Sequence, residues 1–356
     1  MTGVQTCALP IYARMMQQAL DNAKKTQGFC APNPAVGAVL VRNGKMIAAG
    51  YHRGPGSAHA EVDALRATEE TELRDCDLYV TLEPCCHYGR TPPCTNLIIQ
   101  KKLRHVYFGF LDPNPKIAGR GQQQLRDAGV LCDHINIPAI DNFYQPYQFW
   151  WQHKKPHVTL KLAITEDRCI AIAPTTGHEC QQDTHHYRLT HDALLTTINT
   201  IIHDDPQFNA RLMNLKIKKP LYILDSHARL ALNARVLETC HPITIFHAPT
   251  ADQQRLHLLT QKGIRTIAVP TCIEGLDLNV CLEHIHLDGK HTLWIEAGWT
   301  CFQSFVKNGF AERIIIYIAS QHNKTIAHPF TFYYEPGQPR DIKIELLGRD
   351  VKLMFY

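Results

Sequence analysis

Hydrophobic positions in the first part of the chain switch repeatedly between helical and strand-like spacing. Met15–Ala23 reads as a helix. Val36–Val41 and Met46–Gly50 are strand-like runs, and Asn43-Gly44 between them is a strong hairpin signal. Ala58–Ala67 then predicts a helix, Leu78–Leu82 a strand, Thr95–Lys102 a helix and Val106–Phe110 a strand. Asp112-Pro113-Asn114-Pro115 reads as loop, because a residue before proline is pushed out of the helical region. Gly121–Ala128 is a helix ended by Gly129, and Val130–Ile135 is a last strand. Such alternation predicts an α/β sandwich opened by one hairpin.

The stretch Asn142–Lys155 gathers Phe143, Tyr144, Tyr147, Phe149, Trp150 and Trp151 ahead of His153-Lys154-Lys155. Basic aromatics can stack nucleic-acid bases. The cations are few, however, and a joint where one domain packs on another is the expectation. From Pro156 a second alternation begins, with strand-like runs at His157–Ile164, Leu221–Asp225, Ile243–His247, Thr266–Val269, Thr292–Glu296 and Ile314–Ala319. Helical patterns fall at Asp183–Leu195, Ala251–Lys262 and Thr300–Asn308, and Ile342–Leu346 with Val351–Phe355 predicts an antiparallel hairpin closing a mixed sheet. The halves do not resemble one another, so two different domains are predicted, 12–150 and 156–356.

Composition narrows the classes. With 356 residues, 45% of them hydrophobic, the chain can bury two cores. A formal charge of +4 is too small for a protein that lives on phosphate-backbone contacts, and no apolar run reaches the ~18 residues of a membrane span. Neither a nucleic acid nor a membrane is therefore an expected partner. Thirteen cysteines, an odd number, and no Lys or Arg before Arg14 argue against a disulfide scaffold and a secretory leader. A reduced, cytoplasmic enzyme is the expectation. The 21 histidines turn attention to metal ligands.

His59-Ala60-Glu61 opens one predicted helix, and Glu83-Pro84-Cys85 ends a strand before a loop closed by Pro92-Pro93-Cys94. One imidazole and two thiolates leave a fourth zinc position for water, which is a catalytic rather than a structural ligand count. Zinc brings the pKa of bound water to ~7. Glu61, two residues past the ligand, is placed to take the water's proton and return it to a leaving amine, a transfer worth ~10²–10⁴-fold. His-x-Glu followed by Pro-Cys marks zinc nucleobase deaminases, in which a second Cys usually follows three residues later. Here that position is Tyr88, and the second thiol falls at Cys94. Cys86, beside Cys85, reads as a passive thiol because adjacent side chains point apart. The pairs His185-His186 and His284/His286 lack a nearby Cys or paired carboxylate and read as solvated side chains.

Pro32-Asn33-Pro34-Ala35-Val36-Gly37-Ala38, His59-Ala60-Glu61-Val62, the run Glu83–Cys94, and Asp112–Pro115 with Gly119-Arg120-Gly121 resemble the bifunctional riboflavin-biosynthesis deaminase/reductase family, which carries this eight-residue spacer between its zinc cysteines. The family usually has Ser at the position of Cys86, and residues 1–11 match nothing in it and read as an extension or an artefact. The resemblance implies a cytidine-deaminase-like α/β/α sandwich that removes an amine from a phosphoribosylamino-pyrimidine, with one zinc ion per chain. It places Asn33, His52, His87, Arg90 and Asn114 on that small phosphorylated substrate.

The resemblance continues through Lys161-Leu162-Ala163, His203–Arg211, Leu224-Asp225-Ser226 and Trp294–Gly298. It implies a dihydrofolate-reductase-like mixed-sheet domain that uses NADPH to reduce the ribosyl group to ribityl. Lys161, Arg188, Phe208, Arg211 and Glu296 would meet the substrate. Ala163, Thr200, Asp204, Ser226 and the turn Gly298, Trp299, Thr300, Cys301, Phe302, Gln303, Ser304 would meet the cofactor, and the family implies a homo-oligomer. No Gly-x-Gly-x-x-Gly fingerprint supports an ordinary Rossmann site. The pattern departs at Thr165–Cys169, which loses an Asp-Gly turn, at Thr176–Asp183, which lacks a Ser and a Trp, and at Trp299, where the family has Pro. Trp299 would crowd the cofactor or stack on it. An active deaminase with a degenerate reductase-like domain is the alternative.

Overall fold

The computed structural model describes residues 5–89, 92–165, 176–212, 215–320 and 341–356, and side chains from residue 11 onward. The chain divides into two compact units, Met1–Lys154 and Lys155–Tyr356.

In the first unit α1 (Gln5–Lys24) precedes the hairpin β1 (Gly37–Arg42) and β2 (Lys45–Tyr51), with Asn43 and Gly44 both at positive φ in the turn. Then come α2 (Ala60–Arg66), β3 (Cys76–Val80), α3 (Cys94–Gln100), β4 (His105–Phe108), α4 (Arg120–Asp127), β5 (Leu131–His134) and α5 (Pro138–His153). The sheet order is β2-β1-β3-β4-β5; β1 runs antiparallel to both neighbours, and β3, β4 and β5 are parallel. Alternation sorts side chains onto two faces. Ala38, Leu40, Leu78, Val80, Val106 and Phe108 pack against α2, α3 and α4, while Val39, Val41, Tyr79 and Tyr107 pack against α1 and α5. The expected α/β/α sandwich is present.

The aromatic stretch forms α5, in which Ile140, Tyr144 and Tyr147 are buried in the core of this unit at helical spacing, with Trp151 packed against them. The Tyr144 hydroxyl bonds Thr81 Oγ1 at 2.7 Å and donates to the Ala35 carbonyl at 2.9 Å, fastening α5 to the sheet.

The second unit comprises β6 (His157–Thr165), α6 (His178–Thr190), β7 (Ala193–Thr197), α7 (Ile198–Asp204), the ladder β8 (Ala210–Leu212) with β9 (Leu215–Ile217), β10 (Leu221–Leu224), α8 (Val236–Thr239), β11 (Ile243–His247), α9 (Gln253–Gln261), β12 (Arg265–Ala268), the small ladder β13 (Thr271–Cys272) with β14 (Gly275–Leu276), α10 (Leu278–Leu287), β15 (Thr292–Glu296), α11 (Trp299–Lys307), β16 (Arg313–Ala319), β17 (Ile342–Leu347) and β18 (Asp350–Phe355). Nine strands form one sheet in the order β12-β11-β10-β7-β15-β6-β16-β18-β17. Its pairs are parallel until the C-terminal hairpin adds β18 and β17 antiparallel, as predicted. One face packs against α10 and α11, the other against α6, α7, α8 and α9.

The sequence reading of one helix across Asp183–Leu195 is wrong at its end. Helix α6 stops at Thr190, and Ala193–Thr197 is the central strand β7, buried between β10 and β15. A parallel strand covered on both faces is apolar throughout and gives no alternation to distinguish it from a buried helix. Asp192 marks the break: its carboxylate accepts the His291 and Thr292 amides at 2.9 and 3.1 Å. Among the described residues no helix is long and apolar enough to cross a membrane.

Candidate active sites

Three elements bring the first constellation together. His59 is the N-cap of α2, Cys85 lies in the loop after β3, and Cys94 is the first residue of α3. Their placement follows from close packing. A Cβ at Gly50 would stand 2.4 Å from Ala60 O and Ala64 N, so only glycine lets β2 lie this close to α2. The Glu83 carboxylate accepts the backbone amides of Gly119, Gly121 and Gln122 at 2.9, 3.0 and 3.2 Å, holding the N-terminus of α4. A Cβ at Gly121 would lie 2.1 Å from Pro84 O. The Glu-Pro-Cys and Gly-Arg-Gly motifs are thus two halves of one clamp that aims Cys85.

His59 Nδ1 lies 3.2 Å from Cys94 Sγ and 3.5 Å from Cys85 Sγ, and the Cys94 amide donates to Cys85 Sγ at 3.3 Å. The three donor atoms all fall within 4.8 Å of one another, and among the described residues this is the one group able to hold a metal ion. Hydrogen bonding from Cys94, and then from His59, pulls the Cys85 thiol down to about 4, so the cluster carries thiolate charge that suits a divalent cation. Cys86 is excluded; its Sγ points toward the Lys116 carbonyl at 3.9 Å.

Glu61 is 4% exposed, and burial, then the charge of Cys85, raises its carboxyl to about 7. It lines a cavity of about 400 Å³ with His59 and Cys85. Asn33, His52, His87 and Asn114 line the same cavity, and Arg90 lies outside the described residues. His52 is buried: its Nδ1 faces the Ala58 carbonyl at 3.0 Å, which leaves Nε2 to accept from Asn33 Nδ2 at 3.0 Å. It orients Asn33. Sequence reading missed Asp112, Tyr147, Trp150 and Trp151, which complete the wall. Burial brings the Asp112 carboxyl up to about 7, while Oδ1 accepts the Asn114 amide at 2.8 Å.

The second unit holds a larger cavity, about 970 Å³, at the C-terminal ends of β7, β10 and β15. Thr200, Asp204, Ser226, Gly298, Trp299, Thr300, Cys301 and Ser304 line it. Three expected cofactor residues do not. Phe302 is 1% exposed and faces the core, because α11 must bury an apolar stripe on the sheet. Gln303 is exposed on the other side of that helix, and Ala163 lies within β6 against Tyr317 of β16.

Three of the expected substrate residues, Arg188, Glu296 and Phe208, contact one another. Arg188 Nε and Nη2 bond the two Glu296 oxygens at 2.6 and 2.9 Å, and Nη1 donates to the Asn209 carbonyl. Arg188 also covers the Phe208 ring at 5.2 Å. Three of its five N–H donors are engaged in this way, and Arg188 forms a strut between α6 and β15. Glu296 further accepts from Trp294 Nε1 at 2.7 Å, and these contacts hold its carboxyl down to about 2 against burial. Burial lowers the Lys161 ammonium, which Glu296 pulls back up. Arg211 is exposed on β8 and bonds Gln207 and Asn209. The altered turn at 166–169 lies outside the described residues.

A thiol–imidazole metal cluster beside a buried glutamate, on a five-stranded sandwich, followed by a nine-stranded sheet with a cleft at its strand ends, defines a zinc-region deaminase joined to a reductase. Residues 11–110 match the cytidine and deoxycytidylate deaminase zinc-binding region, and residues 156–321 match the RibD C-terminal domain. Riboflavin biosynthesis protein RibD of Aquifex aeolicus is 34% identical over 96% of this chain and 97% of its own length. That of Escherichia coli K12 is 31% identical over 85% and 86%. Acinetobacter baumannii RibD superposes with a TM-score of 0.84 at 30% identity, covering 98% of this chain and 99% of the other. The chain belongs to the RibD family of bifunctional deaminase/reductases of riboflavin biosynthesis, with a zinc-binding deaminase domain and an NADPH-dependent reductase domain.

Proposed function

We propose that residues 12–150 carry the deaminase and 156–356 the reductase, and that one zinc ion per chain is held by His59, Cys85 and Cys94. The convergence of these donors beside buried Glu61 is the observation that carries the reading. When bound, the ion supplies a Lewis acid that makes water acidic at neutral pH. Glu61, buried beside these donors, would take a proton from water there at its carboxylate and return it to the departing amine. Asn33, fixed by His52, and Asn114, fixed by Asp112, present amides to the substrate ring, and His87 stands exposed at the cavity wall where a phosphate would sit.

A Thermotoga maritima chain with a TM-score of 0.84 and 26% identity is described as a diaminohydroxyphosphoribosylaminopyrimidine deaminase and 5-amino-6-(5-phosphoribosylamino)uracil reductase. We assign the same two substrates, in that order, to this chain. NADPH would supply a hydride in the second cavity, where the first turn of α11 would hold the pyrophosphate and Thr200, Asp204 and Ser226 would face the cofactor. Lys161 stands beside the Arg188–Glu296 strut as the cation available to the substrate. Every cysteine described is a free thiol, which suits a reducing cytoplasm, and a homo-oligomer follows the family expectation.

The test is to incubate the protein with the phosphorylated diaminopyrimidine, with and without NADPH, and to weigh the products. A mass change for amine to carbonyl in both samples is expected, with a further gain of two hydrogens only when NADPH is present. Absence of the first change overturns the deaminase assignment, and absence of the second overturns the reductase assignment.

A further inference from the structure

We propose that Arg229 is the residue by which the reductase selects NADPH over NADH, its guanidinium pairing with the phosphate on the adenosine 2′ oxygen, an inference that rests on the reductase reading above. The two cofactors differ only at that oxygen, so discrimination calls for a cation placed to meet one phosphate. Among the described residues Arg229 is the one Lys or Arg that lines the 970 Å³ cavity. His227, two residues before it, lines the same wall. Of the acids there, Glu274 is engaged by Lys307, and Asp277 caps α10 by accepting the Asn279 and Val280 amides at 2.9 and 3.2 Å. Neither is paired with Arg229.

The turn that carries Arg229 is held in place from several sides. Arg229 is exposed after β10, between Ala228 and Leu230, both fully buried. Buried Asp225 accepts the Leu230 amide at Oδ2 (2.9 Å), and Arg255 donates to the Ala228 and Leu230 carbonyls at 3.3 and 2.7 Å. Ala228 is kept at φ 55°, in the left-handed region that a residue with a Cβ rarely takes; such strain persists where the surroundings over-determine it. Arg229 Nη2 donates to Oδ1 of Asn199, another residue of the cavity wall, at 2.7 Å. Among the described residues no carboxylate is paired with its guanidinium, so most of the fork is open to an anion. Strand β7 lies between β15 and β10, which puts the loop after β10 two strand spacings, about 10 Å, from the start of α11. A ribose whose 5′ end hangs from a pyrophosphate at that helix start can reach across β7 and set its 2′-phosphate at Arg229.

The full-length protein is titrated by calorimetry with NADPH, NADH, adenosine 2′,5′-bisphosphate and adenosine 5′-monophosphate. The parent is expected to bind NADPH and the bisphosphate more tightly than the two ligands that lack the 2′-phosphate. Arg229→Gln keeps a polar side chain and removes the charge. It is expected to raise Kd for NADPH and for the bisphosphate about 10–100-fold, the loss of one charge-assisted pair, and to leave NADH and the monophosphate within about twofold. Unchanged NADPH affinity in this variant, or an equal rise for NADH, overturns the inference. Should the variant lose its cooperative unfolding, the parent decides: a preference carried by an exposed guanidinium shrinks as salt rises, and a preference indifferent to salt overturns the inference. A parent that binds both cofactors equally overturns it while the reductase site stands. A parent that binds neither at millimolar concentration removes the reductase reading itself.

Discussion

In the first unit the side chains that carry the chemistry meet one another: His59, Cys85 and Cys94 face inward and Glu61 is buried beside them. In the second unit the charged residues nearest the strand ends are already joined, Arg188 to Glu296 by two hydrogen bonds, and the cavity is walled by helix starts and loops. A metal centre needs particular atoms at particular distances, so it is assembled from specific residue types. A dinucleotide cleft needs a shape and a few free amides, which many side chains can frame.

Glu61→Gln is the strongest challenge to this contrast. It is expected to lower ammonia release by about 10²–10⁴-fold while zinc, measured by elemental analysis, stays at one per chain. Turnover within tenfold of the parent would remove Glu61 from proton transfer.

Arg188→Met tests the other side. It strands the Glu296 carboxylate in a buried setting, and a loss of about 3–5 kcal/mol is expected in urea unfolding followed by Trp294 fluorescence. A loss below about 1 kcal/mol would show the pair to be wet and open to substrate.

Acid sharpens the contrast further. Burial depresses the imidazoles of His157 and His191 to about 3, so both stay neutral in the fold and bind protons first in the unfolded chain. Their contribution is complete above pH ~6.5 and drains away as pH falls toward 3, by roughly 2 kcal/mol each at pH 5. Thermal unfolding of the second unit should therefore drop between pH 7.5 and 5; a flat midpoint contradicts their burial as neutral rings. The smallest effect belongs to Cys86→Ser, which leaves zinc at one per chain, since Cys86 faces the Lys116 carbonyl. A fall in zinc would make it a ligand.

Legibility followed the same division. His59, Glu61, Cys85 and Cys94 could be read because ligand chemistry restricts each position to a few residue types, and the Asn43-Gly44 hairpin because only such residues take its positive φ. Strand β7 escaped because burial on both faces erases alternation. The α5 wall was visible in principle, since Ile140, Tyr144, Tyr147 and Trp151 fall at intervals of four, three and four, but neighbouring cations drew attention to the linker instead. Asp112 was masked by its prolines. The Arg188–Glu296 strut joins residues 108 positions apart, a pairing no local pattern announces.

The Glu83 clamp has one further consequence. Because it fastens the stretch before Cys85 to α4, and Cys94 is carried by α3, the intervening span is anchored independently at both ends. Its length is then nearly neutral for the metal corner, since lengthening a closed surface loop adds only about 0.6 kcal/mol per doubling. Two thiols with eight residues between them can serve the same ion as a much tighter pair, and the extra residues become raw material for reshaping which molecules enter.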